Sequence, residues 1–160
     1  MDHKIVFTGP PGAGKTTAIA AISDVAPVFT DVRNTDPGLS KERTTVGMDY
    51  GEVVLSDSER VRLFGTPGQE RFAFMWRILA RNALGLVLLL DNSRPDPRAD
   101  LRKYLDAFGD ILKTTPCVIG VGRHETHPEP DIDVLGDVLA ARGLVEVQTE
   151  VLIQSLERRL

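Results

Sequence analysis

The chain has 160 residues, a hydrophobic content of 42% and a charged content of 26%, which are typical of one globular domain with a sizeable core. Its net charge of −4 excludes a general basic footprint, so no nucleic-acid partner is expected. The single cysteine, Cys117, excludes an internal disulfide framework and favours a reducing, cytoplasmic compartment.

The first predicted element is a buried strand over residues 4–8, followed by a glycine-rich loop and a helix. Residues 9–16 fit the pattern G-x-x-x-x-G-K-[ST] at every fixed position. Its glycines let the backbone approach phosphate oxygens, and its amides join the positive end of the helix as an anion site. Lys15 supplies a cation for the outer phosphates, and Thr16 supplies a hydroxyl for Mg²⁺. The predicted phosphate-binding residues are Gly9, Pro10, Pro11, Gly12, Ala13, Gly14, Lys15, Thr16 and Thr17.

A polar stretch over residues 27–45 predicts a long loop, which in a compact domain is usually functional or mobile. Residues 46–55 then predict a strand, and residues 57–59 a turn. Apolar and charged residues alternate over residues 60–64, so these segments predict a hairpin and one antiparallel pair in the sheet.

Helices and strands alternate through the rest of the chain. The predicted helices lie at about residues 70–81, 101–112, around 135–139 (ended by Gly143) and 150–159, and the predicted strands at residues 84–90, 116–121 and 145–147. This order predicts a mostly parallel α/β sheet that binds ligands at the carboxyl ends of its strands. The longest apolar run, residues 83–90, is much shorter than the ~20 residues that span a bilayer, so no direct membrane insertion is expected.

Two further stretches resemble a known family. Thr45-Val46-Gly47 looks like the first switch of Ras-like GTPases, and residues 65–72, Gly-Thr-Pro-Gly-Gln-Glu-Arg-Phe, look like the second. The Thr-Pro-Gly-Gln variant is similar to the bacterial and archaeal small GTPases related to the MglA type. The resemblance implies a P-loop NTPase (Ras-like) three-layer α/β sandwich, with a mostly parallel six-stranded sheet and one antiparallel strand. It also implies a single GTPase domain over residues 1–160.

The resemblance also implies roles for individual residues. Thr45 would bind Mg²⁺ and contact the γ-phosphate, Gly68 would contact the same phosphate, and Gln69 would orient the attacking water. Lys15 and an arginine would neutralise charge during transfer. Arg43 and Arg71 are the arginine candidates, although exposed surface charge is the ordinary interpretation of both.

Two positions depart from the Ras-like pattern. Gly65 stands where the family has an aspartate that holds Mg²⁺ through water. Asp91 is one possible replacement, and capping the Asn92-Ser93 turn is its alternative role. The guanine-reading motif is replaced by Gly122-Arg123-His124-Glu125, in which Arg123 would stack its stem over the base and Glu125 would accept hydrogen bonds from it.

The resulting hypothesis is a switch that binds GTP, GDP and Mg²⁺, hydrolyses GTP slowly, and works with an activating or roadblock-type regulatory protein. The alternative is a pseudo-GTPase, a nucleotide-binding interaction module with little or no turnover. A small phosphotransferase is a third hypothesis, but the sequence has no arginine-rich lid segment, and Gly68-Gln69 would then have no assigned role.

Overall fold

The structure is a computed structural model that describes residues 2–29, 31–33, 43–45 and 48–142. Its strands are β1 (Asp2–Thr8), β2 (Asp31–Arg33), β3 (Arg43–Thr45), β4 (Asp49–Ser56), β5 (Glu59–Gly65), β6 (Gly85–Asp91) and β7 (Cys117–Gly122). Its α-helices are α1 (Lys15–Ile22), α2 (Ala73–Ala80), α3 (Pro97–Ala107) and α4 (Ile132–Ala140). Short 3₁₀ turns cover Glu70–Phe72 and Ile111–Lys113.

The main sheet has five strands in the order β4-β5-β1-β6-β7. β4 pairs antiparallel with β5. β1 pairs parallel with both β5 and β6, and β6 also pairs parallel with β7. The predicted mostly parallel sheet with one antiparallel pair is therefore confirmed. The predicted sixth strand near residues 145–147, the closing helix and the helix end at Gly143 lie outside the described residues.

Both faces of the sheet are covered, which explains why β6 is apolar from Leu86 to Leu90. Leu86, Leu88 and Leu90 face a core that contains Trp76 of α2 and Tyr104 of α3. The alternate residues Val87 and Leu89 face a second core with Ala18 and Ile19 of α1. The result is the predicted three-layer arrangement of helix, sheet and helix.

Within the predicted loop at residues 27–45, the backbone forms a short antiparallel ribbon in which β2 pairs with β3. The sequence gives little sign of it, because neither three-residue strand is long enough to show an alternating pattern.

Helix α3 begins at Pro97, earlier than predicted, because the Asp96 side chain accepts a 2.9 Å hydrogen bond from the amide of Ala99 and Pro97 suits the first turn. The helix ends at Ala107, and a 3₁₀ turn covers the last residues of the predicted segment. Helix α2 is likewise shorter than predicted and is preceded by a 3₁₀ turn.

The loops at the carboxyl ends of the parallel strands meet, as the strand order predicted. The amide of Thr66, after β5, donates to the Phe7 carbonyl of β1 at 2.8 Å. The amide of Asn92, after β6, donates to the Gly122 carbonyl of β7 at 3.0 Å. The phosphate loop, the loop that follows β5 and the loop that follows β7 therefore lie at one edge of the sheet.

Candidate nucleotide-binding site

The glycine-rich loop runs directly from β1 into α1, as the motif requires. A β-carbon on Gly9 would lie 2.0 Å from the carbonyl oxygen of Leu89, so only glycine fits where the loop crosses β6. Gly12 and Gly14 have φ values of 79° and 95°, in the left-handed region that other residues rarely adopt. The backbone thus has the conformation that the pattern predicted.

Lys15 begins α1 and is buried, with 7% of its surface exposed. Its Nζ donates hydrogen bonds of 2.8 Å to the carbonyls of Gly9 and Pro10. Burial lowers the pKa of Lys15 to about 8, the Asp49 carboxylate opposes that shift, and the Arg94 guanidinium adds to it. The structure therefore holds a desolvated cation inside the loop, where phosphate oxygens would interact with it strongly.

The neighbouring Thr16 donates a 2.6 Å hydrogen bond from Oγ1 to Oδ2 of Asp49. Asp49 is the first residue of β4, is 3% exposed, and is the antiparallel partner of Gly65 on β5. Sequence reasoning missed Asp49. The hairpin pattern could not have found it, because counting outward from the turn at residues 57–58 pairs residue 49 with residue 66. A bulge between Val54 and Ser56 shifts the register by one residue and pairs Asp49 with Gly65 instead.

Asp91 has a different environment. Its Oδ1 accepts hydrogen bonds from the amide and the hydroxyl of Ser93, at 2.9 and 2.6 Å, and its Oδ2 pairs with Arg123. The turn-capping role considered for Asp91 is therefore confirmed, although its side chain is buried and not solvated, with 6% exposed. The carboxylate nearest to Thr16 in the hydrogen-bond network is Asp49 and not Asp91.

Gly68 is brought against the phosphate loop. A β-carbon there would lie 2.6 Å from the nitrogen of Pro11 and 3.0 Å from Nζ of Lys15. Gln69 follows it and is partly buried, and its carbonyl accepts a 3.0 Å hydrogen bond from the amide of Phe72. Two motifs more than fifty residues apart in the sequence thus form one site.

Two buried aromatic residues hold this second loop in place. Nε1 of Trp76 donates to the Pro67 carbonyl at 2.6 Å, and the Tyr104 hydroxyl donates to the Gly68 carbonyl at 3.3 Å. The two rings stack with their centroids 4.5 Å apart. Trp76 also belongs to the core, and its role in positioning the loop appears only in the structure.

The structure describes the two arginine candidates, Arg43 and Arg71, to different extents. Arg43 and Thr45 lie on β3, where only the backbone is described, so their predicted roles stay predictions. The Arg71 guanidinium lies 4.9 Å from the centre of the Phe72 ring. Arg94, which the sequence did not single out, pairs with Asp100 at 2.5 Å and contributes to the electrostatic environment of Lys15.

The loop after β7 reaches the phosphate loop through one side chain. Arg123 adopts a φ of 61°, donates a 3.3 Å hydrogen bond to the Gly12 carbonyl and pairs with Asp91. Asn92 anchors the same loop by donating to the carbonyls of His127 and Pro130, at 2.6 and 3.1 Å. Glu125 is exposed. Of the two predicted base-contacting residues, Arg123 contacts the phosphate loop, whereas Glu125 is exposed to solvent.

The donor set fits a hard divalent cation, because a threonine hydroxyl and a carboxylate are oxygen ligands. No group of three or more His, Cys, Asp or Glu side chains suited to a metal occurs among the described residues. Magnesium at phosphate sites does not need such a group, because it uses one or two protein oxygens together with phosphates and water.

Among the described residues, none of the helices has the length and apolarity needed to cross a bilayer.

The strand order and the loops at its carboxyl edge define a Ras-like P-loop α/β fold. No protein-family model matches the chain. It is similar to the GTP-binding protein ypt4 of Schizosaccharomyces pombe, with 30% identity over 127 residues, which are 74% of this chain and 49% of that protein.

Two other relatives are similar to this chain at slightly lower identity. The Ras-related protein Rab-7L1 of Rattus norvegicus is 27% identical over 79% of this chain and 62% of its own length. The uncharacterized protein MJ1339 of Methanocaldococcus jannaschii is 28% identical over 61% of this chain and 56% of its own length. The chain therefore spans about half to three-fifths of the length of these three relatives. The similarity supports the Ras-like part of the resemblance.

Proposed function

We propose that this chain is a GTP-binding switch that holds GDP or GTP with Mg²⁺ and hydrolyses GTP slowly. The observation that supports this proposal most is the contact of Gly68 with Pro11 and Lys15. This proximity supports a second-switch role for the loop at Gly68, in which it would sense the presence or absence of a γ-phosphate.

The residues of the chain have separable tasks in this proposal. Lys15 binds the outer phosphates, the Gly68 backbone contacts the γ-phosphate, and Gln69 orients the attacking water. Bound Mg²⁺ would neutralise charge on the phosphate oxygens, and Thr16 and Thr45 are the residues assigned to it. Positioning and charge stabilisation are sufficient for phosphoryl transfer, so no covalent protein intermediate is needed. Arg43 remains the proposed source of an additional positive charge.

We infer a single GTPase domain over residues 1–160 that works in the cytoplasm, controls a partner, and is regulated by an activating or roadblock-type protein. The Thr-Pro-Gly-Gln sequence at residues 66–69 supports a relationship to the MglA-type group.

A test begins with calorimetric titration of nucleotide-free protein with GDP, GTP, ADP and ATP, with and without Mg²⁺. We expect tight guanine-nucleotide binding that strengthens with Mg²⁺. In single-turnover assays, Gln69→Ala should lower the hydrolysis rate while GTP stays bound. Binding of no nucleotide would contradict the proposal, and unchanged hydrolysis in Gln69→Ala would remove that residue from the mechanism.

The second candidate function is a nucleotide-binding interaction module with little or no turnover. The exposure of Glu125 and the lack of a side chain at Gly122 favour it, because they weaken base recognition. This candidate predicts nucleotide binding without measurable hydrolysis, even when a regulatory partner is added.

A further inference from the structure

We propose that Asp49 on β4 supplies the carboxylate toward Mg²⁺ that the Ras-like pattern places at position 65. This inference rests on the proposed nucleotide-binding function and assigns a metal-site residue within it. The carboxylate has moved to the neighbouring strand, and Gly65 accommodates it.

The register of the hairpin makes the exchange possible. Asp49 and Gly65 are direct partners in the antiparallel pairing of β4 and β5. Directly paired residues project their side chains to the same face of a sheet, with Cα atoms about 4.5–5.5 Å apart. A carboxylate carried by residue 49 therefore extends into the space beside residue 65.

The packing shows that this space holds only one of the two side chains. A β-carbon on Gly65 would lie 3.0 Å from Cβ and 3.0 Å from Oδ2 of Asp49, and 3.1 Å from Cδ1 of Ile19. An aspartate at position 65 would displace the carboxylate that is already there. The combination of Gly65 and Asp49 is thus an alternative to the aspartate that the Ras-like pattern has at position 65.

The partner of Asp49 is the residue that the phosphate-loop pattern assigns to the metal. Oδ2 of Asp49 accepts the 2.6 Å hydrogen bond from Thr16 Oγ1. A metal ion bound to Thr16 would have this carboxylate beside it, directly or through a water molecule. Burial of a carboxylate is costly unless hydrogen-bond donors or a cation stabilise it, and Asp49 is 3% exposed.

The other buried carboxylates of the described chain are engaged elsewhere. Asp91 binds Ser93 and Arg123, and Asp100 pairs with Arg94. Among the residues that the structure describes, Asp49 is the carboxylate that hydrogen-bonds to Thr16.

The test measures how much Mg²⁺ is needed to retain GDP. Release of fluorescent GDP is followed in wild type at controlled free Mg²⁺ concentrations, including excess EDTA. In Asp49→Asn, which keeps a hydrogen-bond acceptor for Thr16, we expect the Mg²⁺ concentration for half-maximal retention to rise at least about tenfold. The release rate in EDTA should stay within about threefold of wild type, because this step needs no metal.

Two further variants complete the test. In the double variant Asp49→Gly with Gly65→Asp, the carboxylate returns to the usual strand, and we expect the Mg²⁺ requirement of wild type to be restored. Asp106→Asn removes a carboxylate that pairs with Arg142 outside the proposed site and should leave the requirement unchanged. Thermal unfolding of each protein confirms that it is folded.

The outcomes separate the two proposals. Wild-type protein that retains no GDP overturns the proposed function. Wild type that retains GDP with a Mg²⁺ requirement equal to that of Asp49→Asn overturns the assignment of Asp49 alone. If Asp49→Asn does not fold, the double variant decides: a requirement equal to wild type supports the assignment, and a tenfold higher one overturns it.

Discussion

The phosphate end and the base end of the candidate site are built very differently. At the phosphate end, Lys15, Asp49 and Thr66 are buried and hydrogen-bonded, and two aromatic residues fix the loop at Gly68. At the base end, Arg123 is half-exposed and Glu125 is exposed. Electrostatic interactions strengthen where water is excluded, so we expect most of the nucleotide affinity to come from the phosphates.

The largest expected effect is the loss of nucleotide binding in Lys15→Met. Removing one member of a buried, hydrogen-bonded charge pair costs about 2–5 kcal/mol, which is at least about thirtyfold in affinity. Calorimetric titration with GDP and Mg²⁺ measures it. Lys113→Met, an exposed lysine at the opposite edge of the sheet, is the control. An affinity of Lys15→Met within threefold of wild type would contradict the predicted weight of the phosphate end.

The same lysine predicts a pH effect in the nucleotide-free and metal-free protein. The pKa of Lys15 is lowered from 10.5 to about 8, so the unfolded chain binds more protons than the folded one between these values. Stability therefore rises with pH over this window as the folded lysine loses its costly charge. We expect the unfolding free energy of wild type to rise by about 2 kcal/mol relative to Lys15→Met between about pH 8 and 10. Urea denaturation at several pH values measures this difference, and parallel curves for the two proteins would refute it.

A smaller effect is expected for the aromatic support of the Gly68 loop. Trp76→Phe removes the donor to the Pro67 carbonyl and leaves that group in a buried position, which costs about 1–3 kcal/mol of stability. Urea denaturation measures the loss. Tyr104→Phe is the matched variant, because its 3.3 Å bond to Gly68 is longer, and it should cost less than about 1 kcal/mol. Equal costs for the two variants would mean that the Trp76 hydrogen bond has no special role.

The smallest effect is expected at the base end. Glu125 is exposed, so Glu125→Gln should change the ratio of GDP to ADP affinity by no more than about fivefold, or about 1 kcal/mol. Calorimetry with both nucleotides measures the ratio. A change of a hundredfold would show that Glu125 becomes buried against the base when nucleotide binds, and the contrast between the two ends would then be wrong.

Most of the fold could be predicted from local patterns. The strand at β6 was visible as a continuous apolar run, and the β4–β5 hairpin was visible from its alternation and turn. The ribbon of β2 and β3 was not, because three-residue strands carry too little periodicity. The early start of α3 had a sequence signal, Asp96-Pro97, which is a typical helix cap and first turn.

The sequence by itself determined the phosphate loop, because that motif depends on residues that are adjacent in the chain. It also indicated Gly68 and Gln69 as a second part of the site. Only the tertiary structure decided which carboxylate accompanies Thr16, because the choice of Asp49 over Asp91 depends on strand register and on the space beside Gly65. Likewise, only packing showed that Trp76 and Tyr104 hold the Gly68 loop. Contacts between distant segments follow from how sheets and helices pack, and no local pattern in the sequence records them.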